Sequence, residues 1–346
     1  MTVDYCVSGV LWTVALACIT IVISAADSVC LAATTSPAPV TDEVRLKVVH
    51  RLLNLRNVDV EYDLVKDYTP SQKSLELLAK HGIKHAYVGR YYSSGRFSFL
   101  DGSARYETEN SPQTLAREMT ETGGQEELSN IFISTPKRCE ALTRWPGPSL
   151  VGGISNPGDQ DLPDRDGIDT ALGLRAGSPK ATWLDSKALE QARIEPDPDV
   201  ADQVKLTIPF RDGLQNSWWL RITGDDIAIP KYTYASANGE VYWQVDCTDF
   251  SKNEDGVPLP HKVVARTFYH GLNETAYCNE TMTITVRTYN NKKDNTPDRY
   301  LMVWPLGANV TDQRTKQNFH IGSGPRTLDD DFLNAAAAKA RQPVER

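Results

Sequence analysis

The sequence predicts an α+β protein: one curved, mostly antiparallel sheet of roughly ten or eleven strands, with a few helices covering its concave face. Three observations lead there. Apolar and polar residues alternate strictly in many stretches, above all between Val204 and Asn290. Turn dipeptides such as Asp101-Gly102 and Asn238-Gly239 separate these stretches. Helical spacing, by contrast, appears in roughly three or four places only. A long antiparallel sheet curls, and half of each strand is too apolar for water, so the helices are expected against the apolar side.

The first segment, 1–33, carries an apolar run at 7–24 followed by small residues at Ser24, Ala25, Ala26, Ala32 and Ala33. This pattern fits a secretory signal cut near Ala26 or Ala33, a retained anchor, or lipid attachment at a cysteine. No Lys or Arg precedes the run, and the first basic residue is Arg45. Residues 34–41 read as a Pro/Ser/Thr linker before a single domain over 42–327. Thr41 is placed to cap a helix whose Val44, Val48, Leu52 and Leu55 share one face.

The period then changes to two. Val58, Val60, Tyr62 and Leu64 alternate with Asp59, Glu61 and Asp63, as in a strand with one wet face. Ala86–Ser93 is a strand that Ser94-Gly95 turns into Arg96–Leu100, and Asp101-Gly102 turns again into 103–109. A short helix is expected after Ser111-Pro112, then a hairpin over 130–145. Residues 146–180 have no clear period and read as a long irregular connection, with a helix from Trp183 to Arg193 beyond it.

From Val204 the strands follow in a meander, with a type I′ turn at Asn238-Gly239. The segment 299–322 reads as a strand, a break at Pro305-Leu306-Gly307, and a last hairpin that closes the sheet edge. Residues 328–346 read as a weakly attached helical tail. Cys247 and Cys278 fall in strand regions and are candidates for a disulfide, or else are buried thiols.

Several function classes are excluded or unsupported. A net charge of −8 with no Lys/Arg run argues against nucleic acid or a general anionic-membrane surface, and leaves membrane contact to the N-terminal segment. No nucleophile elbow, phosphate loop, dinucleotide fingerprint or zinc-protease motif is present, so neither enzyme activity nor a cofactor is expected. His81 and His85 flank a glycine that ends a helix, and no metal is assigned to them. The Asp-rich stretch 159–169 breaks the calcium-loop spacing. Asn273, Asn279 and Asn309 open glycosylation triplets.

Certain turns and strands are similar to those of the periplasmic lipoprotein-carrier superfamily, the LolA-like secreted proteins of bacteria. They are "DGVPLPHKVV" at 255–264, "MTITVRTY" at 282–289, the spacing of Pro305, Gly307, Val310 and Asp312, and "GRFSFLDGSARYE" at 95–107. The resemblance covers 42–325 and implies an incomplete barrel whose apolar cavity holds acyl chains. It also implies a periplasmic or secreted, cell-envelope location. The residues expected to line the cavity are the apolar strand positions Phe97, Phe99, Trp218, Leu220, Ile222, Val241, Trp243, Val245, Met282, Ile284 and Val286. The expected function is a carrier or binding protein for lipid or lipoprotein acyl chains. The alternative is an envelope structural or protein-interaction module whose core is filled and takes no small ligand.

Overall fold

The computed structural model describes residues 40–68, 76, 89–111, 114, 128–145, 147, 149–157, 167–174, 189–209, 213–269, 277–290, 295–333 and 335. The chain divides into a unit Met1–Asp42, nearly all of it outside the described residues, and a unit Glu43–Arg346. The expected signal segment, the linker up to residue 39, the helix after Ser111 apart from Thr114, most of the helix 183–193, His81, His85, Asn273 and residues 336–346 therefore lie outside what is described, whereas residues 40 and 41, expected in the linker, belong to the first helix.

Helix α1 (Val40–Asn54) precedes β1 (Asn57–Tyr68), β2 (Gly89–Leu100), β3 (Ser103–Asn110), β4 (Ser129–Ser134), β5 (Cys139–Arg144) and β6 (Leu150–Ser155). After the short helix α2 (Ile168–Ala171) come β7 (Arg193–Pro196), β8 (Gln203–Pro209), β9 (Leu214–Thr223), β10 (Asp226–Ser236), β11 (Val241–Lys252), β12 (Pro258–Tyr269) and β13 (Tyr277–Asn290). A 3-10 turn (Pro297–Tyr300) leads to β14 (Asn309–Asp312) and β15 (Gln317–His320).

All fifteen strands form one open sheet in the order β15-β14-β6-β5-β4-β3-β2-β1-β13-β12-β11-β10-β9-β8-β7. Every pair is antiparallel except β14 with β6, which run parallel. Two meanders, β2–β6 and β7–β13, are thus joined through β1, which pairs with β2 on one side and β13 on the other. The expected count of ten or eleven strands is too low. Among the strands it does not anticipate are β6 and β7, of six and four residues, and so few positions show hardly any alternation.

Several local expectations change for identifiable reasons. The connection 146–180 is not wholly irregular, because it contains β6 and α2. Ser94-Gly95 is no turn but the middle of β2, where Gly95 stands opposite Tyr62 of β1. A Cβ at Gly95 would lie 2.3 Å from the Tyr62 ring, so the glycine makes room for an aromatic laid across the sheet. Residues 299–304 are not a ladder strand. They form the 3-10 turn and an extended piece held by one bridge, Trp304 to Arg326.

At 236–240 only Gly239 has positive φ, whereas a type I′ turn needs it at both central residues, so the loop is a longer one closed from Glu240 to Ser236. Asp101-Gly102, with φ of 43° and 85°, does make the tight hairpin expected of it. The Cys247–Cys278 disulfide is not formed. Cys247 is a buried free thiol paired in register with Val263, whereas Cys278 stands opposite Phe268 on the far side of β12.

The sheet has a core on each face. Phe132 and Ile133 are consecutive in β4, so their side chains point to opposite faces; one belongs to the first core and the other to the second. The first core combines the α1 stripe of Val44, Val48 and Leu55 with α2 and the apolar sides of β1–β3 and β8–β13. The second joins Ile133, Leu142, Ile154 and Val310 to the C-terminal residues Tyr300, Met302, Trp304, Leu328 and Leu333. Residues 328–333 are therefore packed rather than a loose tail: Leu328 and Leu333 are buried, and Asp330 pairs with Arg138 and Arg314.

Asp59, expected on a wet face, is fully buried under this C-terminal segment. Its carboxylate accepts from Arg96 through Nε and Nη2, from Ser98 Oγ at 2.7 Å and from Arg299 Nη1 at 3.2 Å. Asn295 donates to Val58 O and Phe99 O and accepts from Tyr300, which fixes the same segment against β1 and β2. Burial opposes ionisation of Asp59, but the bonds from Arg96 and Ser98 and the charges of Arg299 and Arg96 outweigh it and hold the carboxyl below its ordinary range.

Two outcomes are expected. Asp59→Asn leaves the guanidiniums of Arg96 and Arg299 without their anion and should cost about 3 kcal/mol in urea unfolding at pH 7. A depressed carboxyl stabilises the fold above its unfolded value, so that cost should shrink as the pH falls through the folded value, and it should not grow at acid pH. Gly152→Ala would set a Cβ 2.1 Å from the Trp304 ring; the overpacking should lower stability by about 1–3 kcal/mol without changing the urea slope.

Candidate functional site

The residues expected to line a cavity do converge, but on a filled face. Phe97, Phe99, Trp218, Leu220, Val245, Met282, Ile284 and Val286 are buried in the first core, and Ile222 and Trp243 pack against it. Val241 stands apart, half-buried beyond the register shift at Tyr234/Ala235. Alternation places the ten on one side of β2, β9, β11 and β13, as the sequence indicates.

Two pieces of chain lie on that side. The first is α1, whose Val48 and Leu52 face Leu206, Trp218 and Ile227. The second is the segment 167–174, buried throughout. Gly167 reaches Trp243, Val245 and Ala265, and a Cβ at Gly173 would meet Ile229 at 2.4 Å. Among the described residues, a cavity of about 20 Å³ lies between α1 and strands β8–β10, whereas ligand pockets run to about 300–1,000 Å³.

Several polar groups on this side fasten the covering pieces. Arg51 of α1, 6% exposed, donates from Nη1 to Leu172 O at 2.8 Å, from Nε to Ile227 O at 3.1 Å and from Nη2 to Pro258 O at 3.4 Å. One guanidinium thus ties α1 to the 167–174 segment, to β10 and to the start of β12. Burial lowers its pKa from 12.5 to about 10, against the weaker pull of Tyr289 and Cys247, so it stays a cation at neutral pH. Asp169, 1% exposed, accepts from Tyr106 of β3 at 2.7 Å and from the Thr170 amide. At the rims, Arg45 donates to Ala192 O and Lys47 to Gly224 O.

Sequence reasoning missed Arg51, although a signal was present. It falls three residues after Val48 and four before Leu55, inside the apolar stripe of the helix. A charge in that position either snorkels out or is satisfied within; here it is satisfied by carbonyls. Cys247 and Tyr289 sit nearby, and burial pushes both groups up, so neither is a nucleophile at neutral pH. Among the described residues no cluster of three or more His, Cys, Asp or Glu could hold a metal ion. The arrangement favours burial of apolar surface; it assembles no acid, base and nucleophile.

No family model matches the chain, and no curated protein matches it. The chain is similar to a putative outer membrane lipoprotein-sorting protein domain from Vibrio parahaemolyticus: 6% identity, TM-score 0.43, 75% of this chain and 97% of that one covered. It is also similar to a LolA superfamily protein from Nitrosomonas europaea, at 8% identity and TM-score 0.39, covering 74% and 98%. A third is a DUF1329 family protein from Desulfovibrio piger, at 9% and 0.40, covering 76% and 96%. Likenesses of this depth leave the function to be read from the chain's own residues.

Proposed function

We propose that the chain is a non-enzymatic carrier or binding protein of the cell envelope for the acyl chains of lipids or lipoproteins, described here with its apolar face closed. The observation that supports this is Arg51. A helix meant to stay seated is held best by hydrocarbon; replacing buried ionic groups by apolar ones is often neutral or stabilising. Here a buried cation is added to the apolar stripe and fastens the helix through carbonyls of three other segments.

Such bonds are directional but, even from a charged donor, net only about 1.5–3 kcal/mol each, because water satisfies both partners when they part. Lifting α1 also returns the guanidinium to water. The closed form is thereby specific in geometry yet cheap to open. What opening exposes, a ligand can cover: each CH₂ removed from water contributes about 0.8 kcal/mol, so a chain of about fourteen carbons offers on the order of 10 kcal/mol before ordering costs.

The small cavity favours a second reading, a protein-interaction module with a permanently filled core. One experiment separates the two. Full-length protein, gently extracted and weighed by native mass spectrometry, should carry an acyl-chain species, and a fluorescent fatty acid should bind it reversibly. Arg51→Leu, which relieves the closed form of its buried charge, should weaken that binding by about tenfold, or roughly 1.4 kcal/mol. A clean mass over repeated preparations together with no probe binding would leave the interaction module as the reading.

A further inference from the structure

Trp218 and Trp219 are consecutive in β9, so their rings point to opposite faces of the sheet. Trp218 is buried in the first core, whereas Trp219 is half-buried on the other side. There it stands in register between Lys205 of β8 and Lys231 of β10. The two ammonium groups lie 5.2 Å and 4.7 Å from the centre of its ring. The ring attracts both cations but supplies no counter-charge. The acids nearest in register, Glu195 opposite Lys205 and Asp246 opposite Lys231, lie within ion-pair distance of Arg193 and Arg266 instead. Among the described residues, neither lysine has a carboxylate partner. The second core takes no residue from β7–β13, so this part of the sheet keeps both lysines and the indole half-exposed.

We propose that Lys205, Trp219 and Lys231 form a contact site for the headgroup layer of a membrane that contains anionic phospholipid. β8 and β10 are two strand spacings apart, about 9–10 Å. One small anion on either lysine leaves the other unpaired, whereas a layer of phosphates meets both. The indole suits the same layer, because an apolar body with one polar N–H settles at headgroup depth. Lysines beside it lay their apolar stems there and keep their ammonium groups among the phosphates. The net charge of −8 does not oppose this, since attraction to a charged bilayer falls off within a Debye length and is therefore local. No Lys/Arg run announces the site; three strands bring its residues together. It lies on the opposite face from α1 and does not depend on the acyl-chain reading.

The test uses full-length protein and sedimented vesicles of phosphatidylcholine, with or without about 30 mol% phosphatidylglycerol, at low ionic strength. Anionic vesicles should retain the protein about tenfold better than neutral ones, and about 0.5 M salt should remove the difference. The N-terminal apolar segment is common to both arms, so the ratio reads the charged site. Lys205→Gln with Lys231→Gln should bring that ratio close to one and keep the thermal midpoint within about 2 °C, as surface substitutions do. Brominated lipid should quench more tryptophan fluorescence in anionic vesicles than in neutral ones, and Trp219→Phe should remove the excess. Equal retention by the two vesicles, or a ratio that the double lysine variant leaves intact, would overturn the proposal. So would release by inorganic phosphate at unchanged ionic strength, the mark of a soluble-anion site. Lysine-dependent binding of a DNA duplex without any vesicle preference would overturn it as well. Acyl-probe binding is read separately, so failure of one proposal is distinguishable from failure of the other.

Discussion

The seating of α1 depends on one buried cation. Arg51 reaches three carbonyls that belong to three separate parts of the chain, at Leu172, Ile227 and Pro258. Each acceptor fixes a different neighbour: the segment 167–174, the strand β10 and the entrance to β12. The apolar stripe of α1 supplies most of the attraction to the sheet, because burial of Val44, Val48 and Leu55 removes hydrocarbon from water. That attraction is non-directional. The guanidinium supplies the direction, and it restricts the helix to one register along the strands.

The sheet beneath is asymmetric in what covers it. β1 joins two meanders and is buried on both sides: Val58, Val60 and Tyr62 enter the first core, and Asp59 lies under the C-terminal segment. On the second face the covering segment is stapled by ionic groups with full counter-charges, as at Asp59 with Arg96 and Arg299, and at Asp330 with Arg138 and Arg314. Removing Arg299 there takes a partner from the fully buried Asp59 carboxylate, so that cover is held the more firmly. On the first face the fastening cation has only carbonyl partners, and separation costs less. The two covers differ in how they are fastened, and the proposed carrier function rests on this difference.

The meander from β8 to β13 was legible because each strand is half-buried, so that burial prints an alternation on the sequence. In β13, Met282, Ile284 and Val286 are buried, and Thr283, Thr285 and Arg287 are not. The closing position of the last hairpin was legible as well, since β15 is an edge strand. The four residues of β7 left too short a trace, and the parallel pairing of β14 with β6 joins segments that no local pattern connects. Gly95 misled because a glycine needed for the Tyr62 ring looks like a turn. Asp59 misled because a charge at an alternate position implies water, whereas ion pairing had replaced it. Of the candidate site, the apolar residues and a helix against them were legible; the fastening by Arg51 and the second cover, a glycine-flanked segment whose sequence has no period, were not, because both are long-range properties.

The account turns on whether α1 leaves the sheet when an acyl chain arrives. Spin labels at Leu46, exposed on α1, and at Thr285, exposed on β13, in a background with the native cysteines replaced, would report that separation by pulsed dipolar spectroscopy. With laurate added to saturation, a second and longer distance should appear and grow at the expense of the first. A single unchanged distance, at laurate concentrations where binding is independently measured, would contradict the account.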